Sequence, residues 1–413
     1  MLSKIRRFVL EDVNGDYLPL IDLGIDIAQD YPFVTDLYAS DPDGSWRQVD
    51  WNRVKAVDPK KRRFLISDLD SAQKIDSQSL IGEVLLLRDT LDALILDLLG
   101  RTTTRASDLC LELEDNRLRV RGVDVGFEAM LRRITLGYYR RINQKSLIDW
   151  RYVEFLRGDP KAVKSGAGYR MLIKRLPAGE IAQLASYLPY LHIAELLTLL
   201  PNPKAADVLE ALPIERQVQV IEEFDEQQAV ELLALMSPDL AADLVRRLQT
   251  RTMKRYLEMM PKIKSDRIIE LLCYSEDSVG GVMVNDIVWA GIELTVAEAR
   301  QLLRERLREP DLFSLIFLVD DDENRKLRGV LSLRHLITES DEKKLKDIMD
   351  PYVETLNPAD KAQDAAYRII GAQHTAMAVI DSKGRLLGAM TIDAAITQIA
   401  PQNSNLQTVR IYS

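Results

Sequence analysis

Asp239 and Asp243 stand four residues apart, which on a helix puts both carboxylates on one face. Asp207 holds the matching place in an upstream echo. Lys204-Ala205-Ala206-Asp207-Val208-Leu209 returns as Leu240-Ala241-Ala242-Asp243-Leu244-Val245. Three carboxylates on one edge of stacked helices repel one another unless a cation lies among them. Magnesium suits such an edge: it prefers oxygen ligands, keeps several waters and often takes only one or two carboxylates directly. A plainer use is equally open. Asp239 follows Ser237-Pro238, and an acidic residue in a first helical turn interacts favourably with the N-terminal dipole.

Other chemistry is poorly provided for. The histidines, His192, His335 and His374, show no ligand spacing, which argues against a zinc enzyme. Cys110 and Cys273 lie in different segments and indicate a reducing compartment without a disulfide framework. There is no nucleophile elbow, P-loop or dinucleotide fingerprint, and Ser278-Val279-Gly280-Gly281 is too short to cradle a phosphate. No catalytic residue is assigned, and the chain is read as a non-enzyme.

The elements that must position the carboxylates fall into three stretches. Residues 1–165 alternate short apolar runs with turn signals such as Asn14-Gly15 and Pro42-Asp43-Gly44, a β pattern. Val49-Asp50-Trp51-Asn52-Arg53-Val54 is echoed by Ile148-Asp149-Trp150-Arg151-Tyr152-Val153. Two related small barrels, 1–78 and 79–165, account for the echo, with Trp51 and Trp150 as core plugs. Residues 169–275 are helical, with apolar positions three and four apart and prolines at 177, 189, 201, 213, 238 and 261 between short helices. Stacked helical hairpins forming a superhelix fit this spacing. Residues 282–346 and 347–403 are α/β copies of each other: Met283 pairs with Met349, Gly329 with Gly388, Ser332 with Thr391.

A chain of 413 residues with 46% hydrophobic and 29% charged content has the make-up of a soluble multi-domain protein. A net charge of −9 argues against nucleic acid as a partner. No window reaches the roughly 18–20 apolar residues of a membrane helix, so no transmembrane segment is expected.

The order of a repeat-bearing helical segment, the stretch Tyr274-Ser275-Glu276-Asp277-Ser278-Val279-Gly280-Gly281, and a duplicated α/β unit resembles the cytosolic part of MgtE-type magnesium transporters: a helical N-domain followed by a CBS pair. Leu98-Leu99-Gly100-Arg101 and Ala106-Ser107-Asp108-Leu109 resemble the PRC-barrel family. The resemblances imply a multi-domain α+β chain: PRC-like β-barrels, an all-α superhelical MgtE N-domain and an α/β tandem CBS pair. They also imply that Asp207, Asp239 and Asp243, with Glu276 and Asp277 at the hinge, hold regulatory Mg2+ against the CBS pair. In the transporters the second CBS motif supplies carboxylates where this chain has Lys361, Gln363, Gln373, Ala394 and Thr397, so that half of the bridge is largely dismantled. CBS motifs that bind adenosine phosphates carry an Asp three residues after a Ser or Thr. Here His335 and Ala394 take those places, leaving Arg334 and His335 as nucleotide-binding candidates.

The expectation is thus a cytoplasmic, non-catalytic sensor for a divalent cation, peripheral to the membrane through a partner. It pairs with itself through the CBS helices and acts with a separate membrane cation transporter. The alternatives are an adenine-nucleotide-sensing CBS protein and a ligand-free scaffold.

Overall fold

The computed structural model describes residues 1–27, 29–69, 72–75, 84–134, 146–156, 171–306, 315–321 and 323–399. The barrel boundaries expected at 78 and 165 lie outside them. The chain divides into two compact units, Met1–Pro201 and Asn202–Ser413.

The first unit is mainly β. It contains α1 (Leu2–Ile5), β1 (Val9–Glu11), β2 (Tyr17–Ile25), β3 (Val34–Ser40), β4 (Trp46–Asp50), β5 (Val54–Asp58), β6 (Arg63–Ile66), β7 (Gln73–Ile75) and β8 (Val84–Leu85). These strands form one sheet in the order β5-β6-β1-β2-β3-β4-β7, with β8 on β2. The expected turns are present: Gly15 and Gly44 adopt φ of +91° and +84°, a region glycine enters without steric cost. Next come β9 (Leu94–Asp97), β10 (Thr102–Arg105), β11 (Asp108–Glu114), β12 (Arg117–Asp124), α2 (Phe127–Ile134), β13 (Leu147–Asp149) and β14 (Val153–Leu156). They make two three-stranded sheets, β10-β9-β14 and β11-β12-β13.

The tryptophan echo is a structural repeat. Asp50 accepts the Asn52 N–H at 2.7 Å and Asp149 accepts the Arg151 N–H at 2.9 Å, each capping a short 3-10 turn that carries the tryptophan inward. Trp51 and Trp150 are both buried. Trp51 meets Phe64 edge-on at 5.9 Å, and Trp150 meets Phe155 at 5.2 Å. One continuous apolar core contains both tryptophans, with Leu10, Leu23, Leu109 and Val123. Deep in this unit Asp22 accepts N–H bonds from Leu23, Leu87 and Arg88 at 2.7, 2.7 and 2.9 Å. Burial nevertheless pushes its carboxyl up to about 6. The unit also contains α3 (Ala178–Ala185) and α4 (Tyr190–Thr198).

The second unit begins with α5 (Asn202–Glu210), α6 (Ile214–Ile221), α7 (Glu226–Leu235), α8 (Pro238–Arg247), α9 (Thr250–Met259) and α10 (Lys262–Leu272). Prolines start helices as the sequence predicts. Pro213 and Pro261 are N-caps with φ of −54°, and their carbonyls accept from Gln217 and Ser265. A proline there loses no intrahelical bond, because its missing N–H would have no partner. Each helix packs on the one two further along: α5 on α7, α6 on α8, α7 on α9, α8 on α10. The paired alanines, Ala205-Ala206 and Ala241-Ala242, are buried and leave room for that approach.

After the short α11 (Val279–Val282) come β15 (Trp289–Gly291), α12 (Val296–Arg306), β16 (Leu315–Val319), β17 (Leu327–Ser332), α13 (Leu333–Thr338) and α14 (Leu345–Ile348). The second copy is β18 (Thr355–Leu356), α15 (Ala362–Gly371), β19 (Ala376–Ile380), β20 (Leu386–Thr391) and α16 (Ile392–Ile399). In both copies the middle strand runs parallel to the first and antiparallel to the third. Both carry the same irregularity opposite the shared glycine, at Leu318/Val319 and Val379/Ile380. Phe317 and Val319 of one copy share an apolar cluster with Ala378, Leu386 and Ala389 of the other, while Ile316, Leu318 and Leu331 belong to a separate cluster of the first copy.

Candidate functional site

The acidic edge is set by α8. Ser237 precedes the helix and its N–H and hydroxyl donate to Glu210 at 2.5 and 3.0 Å. Pro238 then sits at the first helical position with Asp239 in the first turn. Asp239 is half-buried, with one carboxylate oxygen screened from solvent. Asp243 follows one turn later, also half-buried. Burial pushes its carboxyl up to about 6; Glu276 adds to the rise, while Arg246 and Arg247 work against it. Asp207 is exposed on α5.

The structure gathers Asp243 and Glu276 around two arginines. Arg247 donates to Glu276 at 3.2 Å, and Arg246 lies 3.8 Å from the same carboxylate. Among the described residues no three His, Cys, Asp or Glu side chains lie together as a metal-holding group. Glu276 is engaged by guanidinium groups, which leaves Asp207, Asp239 and Asp243 as the carboxylates whose oxygen chemistry suits magnesium.

Beyond Glu276 the linker runs along the second CBS motif. The Asp277 carbonyl accepts the Ala362 N–H, while the Val279 and Gly280 N–H groups donate to the Asp360 and Pro358 carbonyls, all at 2.9 Å. Lys361 is bridged to Ser278 by the main chain. Asp277 itself is exposed. Neither Gly280 nor Gly281 has positive φ, so unusual backbone geometry is not their purpose. The requirement is space: a Cβ on Gly280 would stand 2.5 Å from the Tyr274 ring, and one on Gly281 2.1 Å from the Ser275 carbonyl.

A cavity of about 140 Å³ opens within the CBS pair, with Lys326, Arg328, Val353, Thr355 and Ile380 in its wall. A second, of about 250 Å³, is walled by Trp289, Glu293, Asp320 and Asp321. Lys344 and Lys346 hold Glu293 down at about 2. Arg334 and His335 line neither cavity; His335 instead meets the Ser332 hydroxyl at 3.0 Å. Lys326 and Arg328 were missed from sequence. Two basic residues flanking a Leu in the third strand of the first copy were the available signal.

Comparison with known proteins follows this division. The MgtE intracellular N domain family matches residues 176–277, and the CBS domain family matches residues 279–342 and 345–400. The magnesium transporter MgtE of Thermus thermophilus is 29% identical over 153 residues, 37% of this chain and 34% of its own. That of Enterococcus faecalis is 29% identical over 136 residues, 33% of this chain and 30% of its own. The chain thus spans about a third of the length of these curated relatives. The crystal structure of the cytosolic domain of the Mg2+ channel MgtE in complex with ATP has a TM-score of 0.52 at 28% identity, covering 58% of this chain and 95% of that one. The soluble part of a magnesium transporter gives 0.51 at 26% identity, covering 55% of this chain and 88% of that one. Residues 176–277 are therefore an MgtE intracellular N domain and residues 279–400 a CBS pair, homologous to the cytosolic part of MgtE magnesium transporters.

Proposed function

We propose that the chain is a non-catalytic regulatory module that senses a divalent cation, magnesium first, and passes the result to a separate divalent-cation transporter. The observation that carries this reading is domain order: helical domain, linker and CBS pair follow one another as in the cytosolic domain of a Mg2+ channel, 95% of whose length is covered. Among the described residues no helix is long and apolar enough to cross a membrane, and permeation in this reading belongs to the partner. The reading rests on domain order and on the carboxylates Asp207, Asp239 and Asp243, not on a ready-made ion site. Glu276 and Asp277 enter it as linker residues.

In the same reading two copies pair through the CBS helices, where Tyr367 and Ile370 of α15 are 58% and 40% exposed. The β-rich N-terminal unit, with its PRC-like sequence pattern, docks the transporter. The module works in the cytoplasm, held at the membrane by that partner.

A second reading, adenine-nucleotide sensing, is favoured by one observation: Lys326 and Arg328 face the CBS cavity beside Thr355. At about 140 Å³ the cavity falls short of the roughly 300 Å³ at which small-molecule sites begin. It is nearer the size of a phosphate group than of a whole nucleotide.

Thermal unfolding separates the readings, because a ligand that binds only the folded state raises its stability. Cation sensing predicts a melting temperature raised by millimolar magnesium and unmoved by metal-free ATP. The opposite pattern favours the nucleotide, and no shift with either leaves a scaffold without a ligand.

A further inference from the structure

Glu276 lies between two guanidinium groups of α8, with Arg247 at 3.2 Å and Arg246 at 3.8 Å. Arg246 also donates to the Leu271 carbonyl at 3.3 Å. That carbonyl belongs to the last turn of α10, at the negative end of the helix dipole, and also accepts the Tyr274 N–H at 3.1 Å. Asp243 stands one turn before both arginines on α8. Two acidic and two basic side chains meet here, so the junction is charge-balanced as it stands. A divalent cation brought to Glu276 meets two positive groups, and their repulsion opposes its entry.

The residues directly after Glu276 are fixed to the second CBS motif by main-chain bonds from Asp277, Val279 and Gly280. A second ion pair, Arg267 with Asp286, and the Asn285 amide on the Arg267 carbonyl tie α10 to the segment beyond the linker. The carboxylate that the arginines hold and the backbone that the CBS pair holds are therefore neighbours in the chain. Whatever grips Glu276 couples α8 to the CBS pair.

We propose that Arg246 and Arg247 are the resident cations of this junction. They hold the linker against α8 without a divalent ion, and such an ion reaches Glu276 only by displacing them. This deepens the magnesium reading and rests on it for the identity of the displacing ion; closure by the arginines does not depend on it. The arginines set the ground arrangement, and their grip on Glu276 sets how much cation is needed to change it. Arg247 and Glu276 are about half exposed (54% and 48%), so the grip is weak enough to be displaced and is screened by salt.

Hydrogen exchange on the full chain, followed by mass spectrometry over a peptide covering residues 274–284, tests this. The wild type is compared with R246Q/R247Q and R246K/R247K, in EDTA and in excess magnesium. The proposal expects slow linker exchange for the wild type in EDTA, faster with added sodium chloride. It expects severalfold faster exchange in the Gln variant, an intermediate rate in the Lys variant, and unchanged peptides from β19. Manganese should bind the Gln variant roughly fivefold more tightly, the ratio matching the upper end of a surface ion pair. Fast wild-type exchange in EDTA that magnesium slows would overturn the proposal, as would a Gln variant indistinguishable from wild type. Should the double variant lose protection everywhere, R247Q alone and the salt dependence of the wild type decide by the same criteria. A wild type that binds no magnesium removes the sensing function but leaves the exchange result standing, so the two failures are distinguishable.

Discussion

Gly388 lies against the Val284 carbonyl so closely that a Cβ there would stand 2.5 Å from the oxygen and 3.2 Å from the Met283 sulfur. The mirror relation holds in the other copy: a Cβ on Gly329 would stand 2.8 Å from both the Asp350 carbonyl and the Met349 sulfur. Each copy's leading methionine thus packs on the other copy's glycine. The main chain exchanges bonds at the same places, Val284 with Ala389 and Val330 with Asp350. The duplication visible in sequence is a reciprocal clasp in space.

Replacing Gly388 with alanine forces a backbone carbonyl to move, which no side-chain rotation can relieve. G388A is expected to lose about 2–4 kcal/mol in urea unfolding, at the upper end of overpacking costs. Gly291 has nothing within 4 Å of its would-be Cβ, and G291A should stay within about 0.5 kcal/mol of wild type.

Asp22 is the acceptor for three backbone N–H groups, two of them from the Leu87-Arg88 turn, far along the chain from β2. D22A leaves buried donors without a partner. A loss of about 2–3 kcal/mol is expected, with the relief of a desolvated charge already set against the lost bonds. Unfolding at neutral pH measures it, and a loss under about 0.5 kcal/mol would contradict the role given to this side chain.

Asp243 gives a pH signature. Its folded-state carboxyl titrates near 6, against 3.8 for the ordinary group, so between those values the folded chain binds more protons than the unfolded one. This contribution to stability is present at low pH and is lost as pH rises through about 6. D243N removes the penalty of a desolvated charge. It should be more stable than wild type by about 1–3 kcal/mol at pH 7.5, and the difference should fade as the pH drops below 4. A difference that is constant with pH would mean that Asp243 ionises freely in the folded chain.

Much of this architecture was legible because it is written in local signals. Prolines mark helix starts since they lose nothing there, and the echo around Trp51 and Trp150 records an Asp-capped turn used twice. Periodicity records which face is buried, but not what it is buried against. The single core shared by Trp51 and Trp150 therefore had no sequence signature. The grip of Arg246 and Arg247 on Glu276 spans about thirty residues of chain and depends on how α8 meets α10. At Gly280 and Gly281 the constraint is the Tyr274 ring and the Ser275 carbonyl, visible only in three dimensions.

Cation sensing by the helical edge is tested most directly by calorimetric titration of magnesium into the full chain and into D239N/D243N. Saturable binding by the wild type at millimolar concentration, weakened at least severalfold in the variant, is the predicted result. Equal heats from both proteins, or none from either, would contradict it.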